Sequence, residues 1–178
     1  MEFHGVVHAK IPAVQADLAG MHYRTNHVLL VDDDPADVEL AVHTLRNYQS
    51  SECIQIAEDG KEALDYLFGR GRFAGRETAA RPRLILLDLK IPKLDGLEVL
   101  KAIRADARTR CIPVVILTSS KERKDVLEAY RLSANAFIQK PVDFDEFRTT
   151  VDRIGAFWLK TNQPPPAEAF ANQGCPLS

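Results

Sequence analysis

Cysteine is scarce in this chain. Cys53, Cys111 and Cys175 are an odd number with no CxxC pair, which excludes a disulfide framework or a thiolate zinc site and fits a reducing, cytoplasmic compartment. Long apolar runs are absent as well, so no segment is expected to span a bilayer. The first twenty residues lack a charged stretch followed by a solid apolar one, and no signal peptide is read there. No sign of charge dominates: 23 Lys and Arg against 25 Asp and Glu leave a net −2. That balance gives no electrostatic reason to expect nucleic acid or a membrane surface as partner. The five histidines, His4, His8, His22, His27 and His43, form no cluster.

What is present is a regular alternation. The 178 residues suffice for one domain with a sizeable core plus tails. Residues 1–25 show no firm periodicity and read as an N-terminal extension. Val28–Val31 is a short apolar strand. After it, Asp34 is placed as an N-cap, Pro35 as the first helical residue and Asp37 in the first turn. Cys53–Ala57 is a weaker strand and Gly60–Phe68 a helix. Leu84–Leu87 and Val114–Leu117 are strong strands, and Ala136–Ile138 is a short last one. Three cap patterns open further helices: Asp95-x-x-Glu98, Ser119-x-x-Glu122 and Asp143-x-x-Glu146. The buried stripes expected of the last two are Val126, Leu127, Tyr130 and Leu132, then Phe144, Phe147, Val151 and Ile154. Five strands alternating with five helices predict an α/β fold with a five-stranded parallel sheet covered on both faces. The domain is expected over 26–160. The tail, 161–178, has three consecutive prolines and is expected to be disordered or extended.

In an open parallel sheet, ligands bind at the carboxyl ends of the strands. Those ends deliver Asp32, Asp33 and Asp34 from the first strand, Asp88 from the third, Thr118, Ser119 and Ser120 from the fourth, and Lys140 from the fifth. Clustered carboxylates need a counter-charge, and an all-oxygen donor set suits Mg²⁺ rather than zinc. A metal, a carboxylate nucleophile, a hydroxyl and an ammonium at one edge are parts that phosphoryl transfer uses. Each residue alone also has an ordinary reading: Asp34 and Asp95 as caps, Ser119 and Ser120 as caps, Lys140 as a surface lysine, Phe137 as core. Convergence at one edge is what favours the chemical reading.

The blocks VLLVDDDP, LILLDLKIPKLDG, VVILTSS and AFIQKP resemble those of response-regulator receiver domains, in order, over roughly Asn26 to Leu159. The resemblance implies a doubly wound (βα)5 flavodoxin-like three-layer sandwich with strand order 2-1-3-4-5. It also implies that Asp88 accepts a phosphoryl group from a phosphohistidine on a sensor histidine kinase. Asp33, Asp88 and the backbone carbonyl of Lys90 would bind Mg²⁺, with Asp32 acting through a water. Thr118 and Lys140 would contact the phosphoryl oxygens, Phe137 would be the switch aromatic, and Pro141 would follow a cis peptide. Such a protein is a phosphoacceptor that catalyses its own phosphorylation and dephosphorylation, not an enzyme acting on others. Two departures stand out. Lys90 places a cation where the family often has a neutral side chain, which bears on dephosphorylation and metal affinity. Phe137 lacks the hydroxyl of a tyrosine, so any switch works by burial.

Output must come through the surface or through assembly, because no second domain or helix-turn-helix pattern follows. Phe157, Trp158 and Leu159 are adjacent and cannot all face one core. Either one or two pack down and the tail partly covers the rest, or they form an exposed apolar partner face such as a homodimer's. The stretch from Gly69 to Arg83 carries Arg70, Arg72, Arg76, Arg81 and Arg83 against one Glu77, either as a solvated loop or as a positive docking surface. With the aromatic end of the last helix, it resembles the single-domain regulators paired with bacterial phytochrome kinases. Two rivals remain. A haloacid-dehalogenase-type phosphatase wants a second Asp two residues after the nucleophile, where this chain has Lys90. A pseudo-receiver adaptor would keep the fold without being phosphorylated.

Overall fold

The computed structural model describes residues 27–170. The expected extension at 1–25, the last tail residues and Cys175 lie outside the described residues. Five strands form one parallel sheet: β1 (Val28–Val31), β2 (Ile54–Ala57), β3 (Leu84–Leu87), β4 (Val114–Thr118) and β5 (Ala136–Gln139). Their order is β2-β1-β3-β4-β5, and all four pairings are parallel. This is the doubly wound (βα)5 arrangement that the resemblance implies.

The central strands are apolar throughout because both faces are covered. Leu29, Val31, Ile85, Leu87, Val114 and Ile116 face one layer, with Val99, Leu100 and Ile103 of α3 (Gly96–Ala105) and Ala63 and Leu67 of α2 (Gly60–Phe68). Val28, Leu30, Leu84, Leu86, Val115 and Leu117 face the other, with Ala41 and Leu45 of α1 (Pro35–Leu45) and Phe147, Val151 and Ile154 of α5 (Phe144–Gly155). The period-two alternation of Cβ directions does this sorting.

The helix starts follow their caps. Asp34 accepts from the backbone N–H of Ala36 and Asp37. Asp95 and Glu98 form a reciprocal capping box, and Asp143 accepts from Asp145 and Glu146. The expected Ser119–Glu122 box is not made. The helix α4 (Arg123–Arg131) starts after Glu122, which makes no side-chain cap bond. Neighbouring Ser120 is drawn to Asp125 instead, its hydroxyl donating at 2.5 Å.

The last helix differs most from expectation. After Gly155 the chain continues as a π-helical turn, Ala156–Thr161, with Asn162 N–H donating to the Phe157 carbonyl five residues back. Leu159, four residues after buried Gly155, lies in the core and Trp158 is partly buried, while Phe157 stays exposed. Leu159 is thus not part of an exposed face, which corrects that expectation. Leu127, Tyr130 and Phe144 are likewise exposed rather than buried. The tail also turns back: Ala167–Phe170 is a short 3-10 helix whose Phe170 packs on the α2–α3 layer.

Candidate functional site

The site stands at the carboxyl ends of β1, β3, β4 and β5, where buried strands hold their last residues in fixed places. Asp32 and Asp88 are 3% and 5% exposed, Lys140 is 7% and Thr118 is fully buried. The Lys140 ammonium donates to three carboxylates: Asp32 Oδ2 at 2.6 Å, Asp37 Oδ2 at 2.8 Å and Asp88 Oδ2 at 2.8 Å. Residues over a hundred apart in sequence thereby meet at one charge. The other oxygen of Asp88 accepts from the Lys90 backbone N–H at 3.0 Å, and Asp32 Oδ1 accepts from Asp34 N–H at 3.1 Å.

One ammonium against three carboxylates leaves the cluster negative. Burial lifts the Asp32 carboxyl from its ordinary 3.8 to about 6, against the lowering effect of Lys140. Burial alone would pull Lys140 down, but the hydrogen bonds it donates to Asp32, Asp37 and Asp88 outweigh it and hold its pKa above the ordinary lysine value. The two shifts have different origins: loss of water raises Asp32, and three anionic acceptors raise Lys140.

Gly96 lets α3 approach the site. A Cβ there would lie 2.2 Å from the Asp88 carbonyl oxygen, and its N–H donates to Leu89 O at 3.0 Å. Opposite, Lys140 N–H donates to Thr118 O at 2.8 Å, fixing the ends of β4 and β5 together. Thr118 Oγ1 accepts from Ser120 N–H at 3.3 Å.

Asp33 is exposed and lines, with Asp32, Glu58 and Phe144, a groove of about 710 Å³ that runs along α1. Among the described residues no three His, Cys, Asp or Glu groups are disposed as metal ligands; the Lys140 ammonium sits among the carboxylates instead. The donor chemistry still fits a hard cation: every candidate ligand is an oxygen. Phe137 is partly buried against the α2–α3 layer. Pro141 follows a trans peptide, since the described residues contain no cis bond. The trans form already carries Lys140 to its three carboxylates, and for an X-Pro bond the two isomers differ by only about 0.5–1 kcal/mol. Sequence reasoning missed two site residues. Asp37 was read only as a first-turn acid, and Asp125, buried on α4, was not singled out.

The model of the response regulator receiver domain matches residues 28–152. The chain belongs to the receiver domain family. This receiver is 37% identical over 140 residues to the response regulator Rcp1 of Synechocystis sp., covering 79% of this chain and 93% of that protein. The solved structure of the Mn²⁺-bound form of Rcp1 superposes with a TM-score of 0.74 over 79% of this chain and 99% of that one, at 35% identity. The phosphorylated cyanobacterial phytochrome response regulator RcpA gives the same TM-score at 37% identity, with the same coverage. The bacteriophytochrome response regulator RtBRR is 45% identical, with a TM-score of 0.61 over 80% of this chain and 85% of that one. The receiver is therefore a two-component signalling protein of the response-regulator type, related to regulators named for phytochromes. No helix among the described residues is long and apolar enough to cross a membrane.

Proposed function

We propose that Asp88 is the phosphoacceptor of this receiver. The supporting observation is the Asp88 carboxylate itself: 5% exposed, fixed at the end of β3, with one donor on each oxygen. A lone pair on either oxygen remains for attack. A carboxylate oxygen forms the P–O bond as the P–N bond of a donor phosphohistidine breaks, and the electron pair returns to the imidazole. Lys140 and Thr118 contact the phosphoryl oxygens, and the Lys140 ammonium balances part of the charge that accumulates on them. The same groups carry the self-catalysed loss of the phosphoryl group to water.

Mg²⁺ is the proposed cofactor, held by Asp33, Asp88 and the Lys90 main-chain carbonyl, with Asp32 acting through a water. When bound, it neutralises phosphoryl oxygen charge. The three carboxylates around Lys140 leave an excess of two negative charges, a divalent ion's worth. The phosphodonor is a cytoplasmic sensor histidine kinase, and the phytochrome names of RcpA and RtBRR support a phytochrome kinase. Output runs through Phe137 and the surface beside it. Phe144 and Phe157 on the α5 side are 69% and 51% exposed, and β5 is a sheet edge. These support a homodimer built on α5 and β5, with Phe157 and part of Trp158 at its face.

A small-molecule phosphodonor with Mg²⁺ tests the reading. Intact-mass analysis should give one phosphate adduct on wild type and none on Asp88→Asn. An adduct on both refutes Asp88 as the acceptor. No adduct on either supports an unphosphorylated adaptor, and steady turnover of a generic phosphate ester would support a phosphatase.

A further inference from the structure

Asp125 is buried, 5% exposed, in the first turn of α4, and the phosphoryl chemistry above does not use it. Its Oδ2 accepts from Ser120 Oγ at 2.5 Å and lies 3.4 Å from the Lys90 ammonium. Ser120 is itself buried, and its N–H donates to Thr118 Oγ1. Lys90 N–H donates to Asp88 Oδ1. A chain of contacts therefore runs from Thr118 through Ser120 and Asp125 to Lys90 and back to Asp88. It ties α4 to the loops on both sides of the site.

Lys90 carries an ammonium two residues from Asp88, on a flexible four-carbon stem that can swing either way. Directed at the acidic cluster, it would repel a divalent cation there. Directed at Asp125, it is kept to the α4 side. We propose that Asp125 is a positioning residue that holds the Lys90 ammonium away from the metal-binding carboxylates. The inference rests on the reading of Asp88 and its neighbours as a Mg²⁺ site. The Ser120 hydroxyl, which helps keep the Asp125 carboxyl ionised, fixes which way that carboxylate points.

Mg²⁺ titration calorimetry on the unphosphorylated full chain tests it, independently of phosphorylation. Asp125→Asn should weaken Mg²⁺ binding about three- to tenfold, the scale of one unit charge brought to about 6–13 Å from a divalent ion under water-like screening. Asp125→Glu, which keeps a carboxylate for Lys90, should restore most of the affinity. In a Lys90→Gln background, Asp125→Asn should cause no further loss. Equal loss in both backgrounds overturns the proposal, because Asp125 would then act through its own charge or through folding. Should Asp125→Asn fail to fold by circular dichroism, Ser120→Ala should give a smaller loss that again depends on Lys90; no Lys90-dependent loss overturns the proposal. Wild type that binds no Mg²⁺ overturns the metal site and this inference together. An Asp88→Asn adduct would refute the phosphoacceptor alone.

Discussion

Asp32→Asn should make the metal-free protein more stable at neutral pH. The ordinary carboxyl value of 3.8 rises to about 6 on folding because the group is buried. Between those values the folded chain binds a proton that the unfolded chain has released, so stability falls as pH rises from about 4 to about 6 and stays lowered above it. A shift of about two units at ~1.4 kcal/mol each sets a ceiling of roughly 3 kcal/mol on the cost of the buried charge. Asparagine removes the charge but keeps one acceptor oxygen for the two donors, Lys140 and the Asp34 N–H, and the lost bond offsets about 1 kcal/mol of the gain. The net gain at pH 7 should therefore be roughly 1–2 kcal/mol, read by urea unfolding in a chelating buffer. The advantage over wild type should shrink as pH falls from about 6 toward 4 and vanish only below about 3, where Asp32 is protonated in both states. Saturating Mg²⁺ should then narrow or reverse the order, since a ligand at a hundred times its Kd adds about 2.7 kcal/mol to the form that binds it. A variant no more stable than wild type at pH 7, or a difference that does not vary between pH 4 and 7, would refute the claim that Asp32 is held at a cost.

Two further perturbations test the scaffold around the site. Gly96→Ala places a methyl group against the Asp88 carbonyl, so α3 must back away. Urea unfolding should show a loss of about 1–3 kcal/mol, and Mg²⁺ affinity should fall with it; an unchanged affinity would mean that α3 does not position Asp88. Arg76→Met removes a guanidinium that stacks 3.9 Å from the Tyr66 ring centroid and donates to the Tyr66 and Ala80 carbonyls. The expected cost is about 2–4 kcal/mol. His27, lowered to about 4 by burial and then by Arg76, should titrate higher by NMR but stay below the ordinary 6.5, because burial remains.

The layers and the site core were legible because they rest on signals that survive tertiary context. Continuous apolar strands specify burial on both faces, and a carboxylate or ammonium at such a strand's end has one edge to go to. Asp88, Asp32 and Lys140 were found that way. Asp37 was hidden by a sufficient local explanation, since an acid in a first helical turn is already favourable there. Ser119 failed as a cap because Ser120, one residue on, is paired with a buried carboxylate that no local pattern reveals. For Phe157, Trp158 and Leu159 adjacency shows that not all three face the core but not which one does; Leu159, four residues after buried Gly155, is the one buried. Leu127 and Tyr130 fit a helical stripe, but α4 covers the sheet edge with a narrower face centred on Ala129.

Of the five arginines read as either a loop or a docking surface, Arg76, Arg81 and Arg83 hold main-chain carbonyls, while Arg70 and Arg72 stay exposed. Arg76 holds the Tyr66 and Ala80 carbonyls, and Arg83 holds that of Asn162. Arg104 donates to the carbonyls of Ser133, Arg110 and Ile112 and to the Asn135 side chain. Arg81 donates to the Arg108 carbonyl and stacks on Phe170. These bonds gather at the amino ends of the strands, where the loops entering β3, β4 and β5 would otherwise leave carbonyls to water. Guanidinium is suited to this work because it is permanently charged and donates in several directions from one plane. The two ends of the sheet are therefore held differently. At the amino ends, cations satisfy neutral carbonyls in bonds that adding a phosphoryl group does not touch. At the carboxyl ends, one lysine is shared among three acids, and any added charge must redistribute it. On the proposed reading of Asp88, a change there would be felt first in the β3–α3, β4–α4 and β5–α5 connections, at the opposite end of the sheet from these arginines.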